Sequence, residues 1–221
     1  MSVDTKGLIG VYAYLFGILF LAEGIRRIKA WPSEFTRKCI HIGVGWWGFI
    51  AYWTIRSVWI VLIPPLSFVL INLLSYRWNI IPSMEIEDKR NLGTVYYPLS
   101  ICILILLFWR EGMRLLPVLG SMVMGLGDGM ASIVGKKWGR HSFRFWRNPK
   151  TLEGSAAMGV FSALAAGLVL TFMTPLPAAA VVWRAVVVAG LSTAVEALSP
   201  WGLDNLSVPL GAAAAYRVLF M

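Results

Sequence analysis

The chain has 221 residues, of which 58% are hydrophobic and 14% charged, and its mean hydropathy is +0.70. A soluble domain carries about 25% charged residues, so this composition excludes an ordinary soluble globule and marks an integral membrane protein. The net charge of +9 does not call for nucleic acid as a partner, because basic loops facing anionic lipid account for it in a membrane chain.

A spanning helix needs about 20 mostly apolar residues. The apolar runs predict an all-α, polytopic integral membrane bundle of about eight transmembrane helices: Leu8–Glu23, His41–Ile55, Ser57–Leu74, Tyr97–Trp109, Leu115–Val134, Ser155–Met173, Ala178–Leu198 and Ser207–Phe220. The fourth and eighth are short. No segment shows the alternation of a membrane strand. No repeat, linker or low-complexity tract divides residues 1–221, which are expected to form one domain. The first run has neither a basic n-region nor an A-x-A cleavage site before Glu23, so it is expected to be a retained helix rather than a signal peptide. Cys39 and Cys102 lack metal-ligand spacing and read as free thiols.

Loop charge sets the expected orientation. The loops after helices one, three and five carry 14 of the 20 cations, and the other end of the bundle carries 6. The cation-rich end is expected to be cytoplasmic, with both termini on the far side. That orientation gathers most of the unusual polar residues on the cytoplasmic face.

Taken in order, the first such group is Arg37, Lys38 and His41. Arg37 and His41 are four apart and share a helix face. They sit at a helix N-terminus that favours anions, although positive-inside anchoring explains the bases alone. Next, Asn91-Leu-Gly93-Thr94-Val-Tyr96-Tyr97-Pro98 leads into helix four. Its tyrosines suit a lipid headgroup, or equally an interfacial aromatic belt.

The centre of the chain is Gly127 to Gly154. Asp128 stands among Gly125, Gly127 and Gly129 inside an apolar segment. Small residues explain close helix packing, but they do not explain an acid at membrane depth, which is a functional candidate by default. Six bases follow: Lys136, Lys137, Arg140, Arg144, Arg147 and Lys150. An acid able to hold a metal beside a dense basic loop suits a nucleoside triphosphate. Lys150-Thr151-Leu-Glu153-Gly154 closes the stretch. It reads either as an ordinary helix cap or as phosphate contacts from Lys150 and Thr151 with a metal ligand at Glu153. Finally, Glu196 and Asp204-Asn205 flank a segment broken by Pro200 and Gly202. Irregular backbone at membrane depth belongs where it lines protein or a wet cavity.

These stretches, in this order, resemble the CTP-dependent polyprenol and lipid kinase family, which includes dolichol kinase, phytol and farnesol kinase and a CTP-dependent diacylglycerol kinase. The matching pieces are Arg37-Lys38-x-x-His41, Arg90-x-x-Gly93-Thr94-x-Tyr96-Tyr97-Pro98, Gly127-Asp128-x-x-Ala131-x-x-x-Gly135 with Gly139-Arg140, Lys150-Thr151-x-Glu153-Gly154, and Glu196-Ala197 followed by Asp204-Asn205-x-x-x-Pro209. The phosphatidate cytidylyltransferases look similar through the Gly-Asp and Lys-Thr-x-Glu-Gly stretches, but this chain lacks their C-terminal acidic, basic, Gly-rich signature. Its compactness looks more like the phytol kinase branch.

The resemblance implies CTP as donor, Mg²⁺ as cofactor, and an isoprenoid alcohol or a diglyceride as acceptor. On that reading Asp128, Glu153, Glu196, Asp204 and Asn205 form the metal group. Arg37, Lys38, Lys136, Lys137, Arg140, Lys150 and Thr151 hold phosphate, with Gly127, Gly129 and Gly135 allowing close approach. Arg90, Gly93, Thr94, Tyr96 and Tyr97 meet the lipid. Asp128, Asp204 and His41 are the candidates for catalysis, and either acid can take the hydroxyl proton. A small anion transporter is the rival from another class. It calls for polar groups in both leaflets or an inverted repeat, and the sequence has neither.

Overall fold

The computed structural model describes residues 2–78, 92–145 and 149–221. The described chain is helical apart from one short hairpin. Its order is α1 (Val3–Lys29), α2 (Ser33–Gly45), α3 (Trp47–Thr54), α4 (Val58–Trp78), α5 (Gly93–Phe108), α6 (Leu115–Met122), a π-helical turn (Val123–Asp128), α7 (Gly129–Trp138), β1 (Ser142–Phe143), β2 (Lys150–Thr151), α8 (Leu152–Met173), α9 (Ala178–Leu198) and α10 (Asp204–Phe220).

Five stretches are long and apolar enough to cross a membrane: Val3–Lys29, Val58–Trp78, Leu115–Trp138, Leu152–Met173 and Ala178–Leu198. The protein is therefore an all-α polytopic membrane protein. The other three expected spans fall on shorter helices, and the second is broken at Trp46 into α2 and α3. The hairpin was not expected. It pairs Ser142 with Thr151 and Phe143 with Lys150, and so brings the two ends of the basic loop together.

Local chemistry accounts for the helix ends. The Ser2 side chain accepts from Thr5 N at 3.1 Å and starts α1. The Thr151 hydroxyl accepts from Gly154 N at 3.1 Å and starts α8. Each satisfies a donor that a helix start leaves open.

The Leu115–Trp138 stretch is the axis of the bundle. All eight residues of α6 are buried. In the most apolar window of this stretch 67% of residues are buried, against 11% in α1, which lies at the periphery. Leu116, Val118, Leu119 and Met122 pack into one core with Ile101, Leu104 and Ile105 of α5, Met158, Ala165 and Val169 of α8, and Val208 and Ala212 of α10. Glycine lets α2 reach the axis: a Cβ on Gly125 would stand 2.9 Å from the Gly45 Cα and 2.9 Å from the Tyr97 hydroxyl. Only a residue without a side chain fits there, as small-residue helix seams in membranes require.

Candidate active site

The polar site is built on the last turn of that axis. The π-helical turn ends on Asp128, which is 5% exposed. Such turns insert a residue into the helical ladder and recur at functional sites. From α2, Lys38 donates to Asp128 Oδ2 at 2.6 Å, and His41 Nε2 lies 3.5 Å from the same oxygen. Lys38 and His41 are themselves buried. A buried charge is costly unless paired, so the two helices are locked together at this point.

On the other side of Asp128, α9 and α10 deliver Glu196 and Asp204. Between them the chain turns through Trp201 and Gly202, both with positive φ (48° and 78°). A glycine adopts that conformation without strain, and the turn folds Asp204 back toward Glu196. One oxygen from each of Asp128, Glu196 and Asp204 lies within 4.8 Å of the others. Lys150 of β2 pairs with Glu196 and lies 3.6 Å from Asp204. Glu196 Oε2 is buried without a hydrogen-bond partner.

These groups line a solvent-open cleft of about 800 Å³. Its walls are Glu34, Arg37 and Lys38 of α2; Ser132, Gly135 and Lys136 of α7; Lys150, Thr151 and Ser155 of the hairpin and α8; and the three acids. Lys136 pairs with Glu34 across its mouth. The cleft thus has carboxylates at its base and ammonium and guanidinium groups around its wall. That is the charge arrangement of a metal–polyphosphate site.

A second, narrow cavity lies on the far side of α2. It is apolar for most of its length. Leu15 and Leu19 of α1, Ile40 and Val44 of α2, Trp47 of α3, Pro64, Pro65 and Phe68 of α4, and Tyr97, Pro98 and Ile101 of α5 form it. The two spaces share a seam. Arg37 lines both; His41 lines the apolar cavity and touches Asp128 of the cleft; Asn205 lines the apolar cavity, and its neighbour Asp204 lines the cleft. Arg37 Nε is buried and has no hydrogen-bond partner.

The structure therefore brings Asp128, Asp204, Glu196, Arg37, Lys38, Lys136, Lys150, Thr151 and Gly135 to one cleft, and Gly93, Thr94, Tyr97, His41 and Asn205 to the adjoining cavity. Other sequence candidates fall elsewhere. Glu153 is outside the acid cluster, because its carboxylate takes the His141 backbone N–H at 3.3 Å and the His141 ring at 2.7 Å. Lys137 is exposed and sits 4.7 Å from the Trp138 ring. Arg140 is exposed and does not line the cleft, because the chain has left α7 before reaching it. Tyr96 is half-buried and does not line the apolar cavity. Gly127 and Gly129 serve packing: a Cβ would meet Met158 and Ser162 at the first and Ile42 at the second. Asn205 donates to Gly202 O at 3.2 Å and to Asp204 Oδ1 at 2.9 Å, so it orients the acid. Arg90 lies outside the described residues.

Two participants were missed. Glu34, an acid in the first turn of α2, stands at the cleft mouth. Asn72, a lone amide in the apolar run of α4, lines the cavity and donates to Thr94 O at 2.7 Å. An isolated amide at membrane depth was the available signal.

The chain is 37% identical over 200 residues to a phytol kinase from a Synechocystis strain, covering 90% of this chain and 85% of that protein. It is 30% identical to a probable chloroplastic phytol kinase of Triticum aestivum (95% and 75% covered) and 29% identical to a chloroplastic farnesol kinase of Arabidopsis thaliana (85% and 66% covered). No family model matches, and no solved structure matches.

Proposed function

The chain belongs to the polyprenol and phytol kinase family, and from that premise we propose that it moves the γ-phosphoryl group of CTP to the hydroxyl of an isoprenoid alcohol. The observation that carries this reading is the shared seam: a polar, acid-based cleft suited to a triphosphate and an apolar cavity suited to a hydrocarbon chain lie side by side, with Arg37 in both walls and His41 and Asn205 beside the cleft acids.

In this reading Lys136, Lys150 and Arg37 hold the triphosphate. The alcohol oxygen attacks the γ-phosphorus, the bond to the β-phosphate oxygen breaks, and CDP leaves. Asp128 or Asp204 takes the hydroxyl proton, because each touches a cavity-lining side chain: Asp128 lies 3.5 Å from His41, and Asp204 accepts from Asn205 at 2.9 Å. Positioning and charge neutralisation supply most of the catalysis in such transfers. The donor set fits a divalent cation: three acid oxygens converge, and Glu196 Oε2 is an orphan. Asp128, Glu196 and Asp204 would hold Mg²⁺, which when bound neutralises charge on the phosphates. Cytosine as the base rests on the family resemblance.

Labelled CTP tests the proposal. Purified protein should move γ-label to phytol or geranylgeraniol and leave α-label in CDP, and chelation of divalent metal should stop the transfer. α-Label entering lipid, with phosphatidate as acceptor, would replace the kinase with a cytidylyltransferase.

A further inference from the structure

The apolar cavity is closed at one end, and its depth has a definite scale. Toward the seam Leu19, Arg37 and Thr94 are half-buried, beside buried Asn72, His41 and Asn205. Its lower lining is sealed: Leu15 is 5% exposed, Trp47 2% and Ile101 2%, and Pro64 is buried as well. Three separate segments, α2, α4 and α5, give the same sense of depth. Asn72 bonds to Thr94 near the seam, the Tyr97 ring lies 4.3 Å from the His41 ring one turn lower, and Ile101 follows one turn below Tyr97. At about 1.5 Å per residue, the span from Thr94 to Ile101 or from Asn72 to Pro64 is roughly 10 to 12 Å.

The floor is rigid. Trp47 stacks on Trp109 at 6.3 Å, and both are in the main core. Pro64 and Pro65 hold the facing turn of α4. Close-packed aromatic and proline side chains do not yield to an incoming chain as a methionine-lined wall does.

Resting on the kinase reading above, we propose that this cavity is the acceptor subsite and that its floor, Trp47 with Ile101 and Pro64, gauges the length of the alcohol's hydrocarbon chain. The occupant is an isoprenoid alcohol, hydroxyl at the Arg37–His41 seam and tail toward Trp47. The placement of the cavity against the acid cleft, with Arg37 in both walls, selects this occupant over a structural lipid, which needs no polar cleft beside it. An alcohol that fits within the depth gains burial for each carbon. A longer one must fold back or leave between α1 and α4, and its extra carbons gain nothing from the pocket.

The test uses the full chain in lipid nanodiscs and a series of alcohols from geraniol to long polyprenols. Val44→Trp fills the middle of the cavity. It should raise the KM of geranylgeraniol about tenfold, as a lost contact of about 1.4 kcal/mol does, and leave the KM of CTP within twofold. Ile101→Ala should open the floor and shift kcat/KM toward longer alcohols. An unchanged KM of geranylgeraniol in Val44→Trp, or no shift in Ile101→Ala, would overturn the gauge.

A binding readout separates this inference from the kinase reading. An isoprenoid alcohol with a photoreactive group at its tail end should crosslink to α3 and the Ile101 turn of α5. Crosslinks confined to the membrane-facing side of α1 or α9 would overturn the subsite even in an active kinase. Crosslinks at the floor in a protein that transfers no label to any alcohol would leave the subsite standing and remove the kinase.

Discussion

At the scale of single residues, the site turns on one buried ion pair. Lys38 and Asp128, 8% and 5% exposed, face each other across 2.6 Å. Removing one charge strands the other, which typically costs about 3–5 kcal/mol. Asp128→Asn should therefore lower turnover at least a hundredfold, the scale on which essential charged groups act, and should lower the unfolding temperature in detergent as well. Adding Lys38→Met should recover the unfolding temperature without recovering turnover. Near-normal transfer by Asp128→Asn would remove this residue from the chemistry. Asp128 stood out in the sequence because an acid among glycines in an apolar run has no cheap structural explanation. Its pairing with Lys38, 90 positions away, had no local signal, and the lysine read as well as an anchor at the membrane surface.

At the scale of elements, the β1–β2 hairpin and the α2–π-turn seam place the chemistry. Glu153 ties the hairpin together through His141, and the same hairpin presents Lys150 and Thr151 to the cleft. Glu153→Gln should therefore raise the KM of the nucleotide several-fold with a smaller loss in kcat. Glu196→Gln should reduce kcat mainly, because Glu196 belongs to the acid cluster. Equal kcat losses for both would return Glu153 to the metal group. At the seam, Gly125→Ala would push its methyl against Gly45 and the Tyr97 hydroxyl. Overpacking of this kind costs about 1–3 kcal/mol, and here it also separates Asp128 from His41. Turnover should fall further than the unfolding temperature implies; full activity with unchanged melting would disprove the seam. The cap at Thr151 and the position of every long helix were legible, since both depend on nearby residues. The break at Trp46, the hairpin and the apolar cavity were not. The first two interrupt runs whose composition does not change, and the third exists only between five helices, α1 to α5.

At the scale of the whole molecule, the described contacts sort the loops into two ends. Asp4 accepts from the backbone N–H groups of Arg56 and Ser57 at 2.9 and 3.0 Å, so the start of α1 and the α3–α4 turn share an end. Arg114 lies 5.4 Å from the Tyr52 ring and brings the α5–α6 turn there. Arg217 over Phe108 and Arg184 beside Phe220 add the end of α10 and the start of α9. The acid cleft and the hairpin lie at the other end, with Arg26, Arg27 and Lys29 in the last turn of α1, Arg37 and Lys38 of α2, and Lys136, Lys137 and Lys150. From this charge asymmetry we propose that the richer end faces the cytoplasm, where a nucleoside triphosphate is available. Single cysteines in a background lacking Cys39 and Cys102 test the arrangement. Cysteines at Lys29, Arg144 and Trp201 should react with an impermeant maleimide only from the cytoplasmic side, and those at Arg56, Arg110 and Pro175 only from the opposite side. Cleft-end cysteines that all react from outside would invert the molecule and deprive the cleft of cytosolic nucleotide. A split within either group would mean that one of the short helices, α2–α3, α5 or α10, does not cross the membrane, and the number of spans would fall with it.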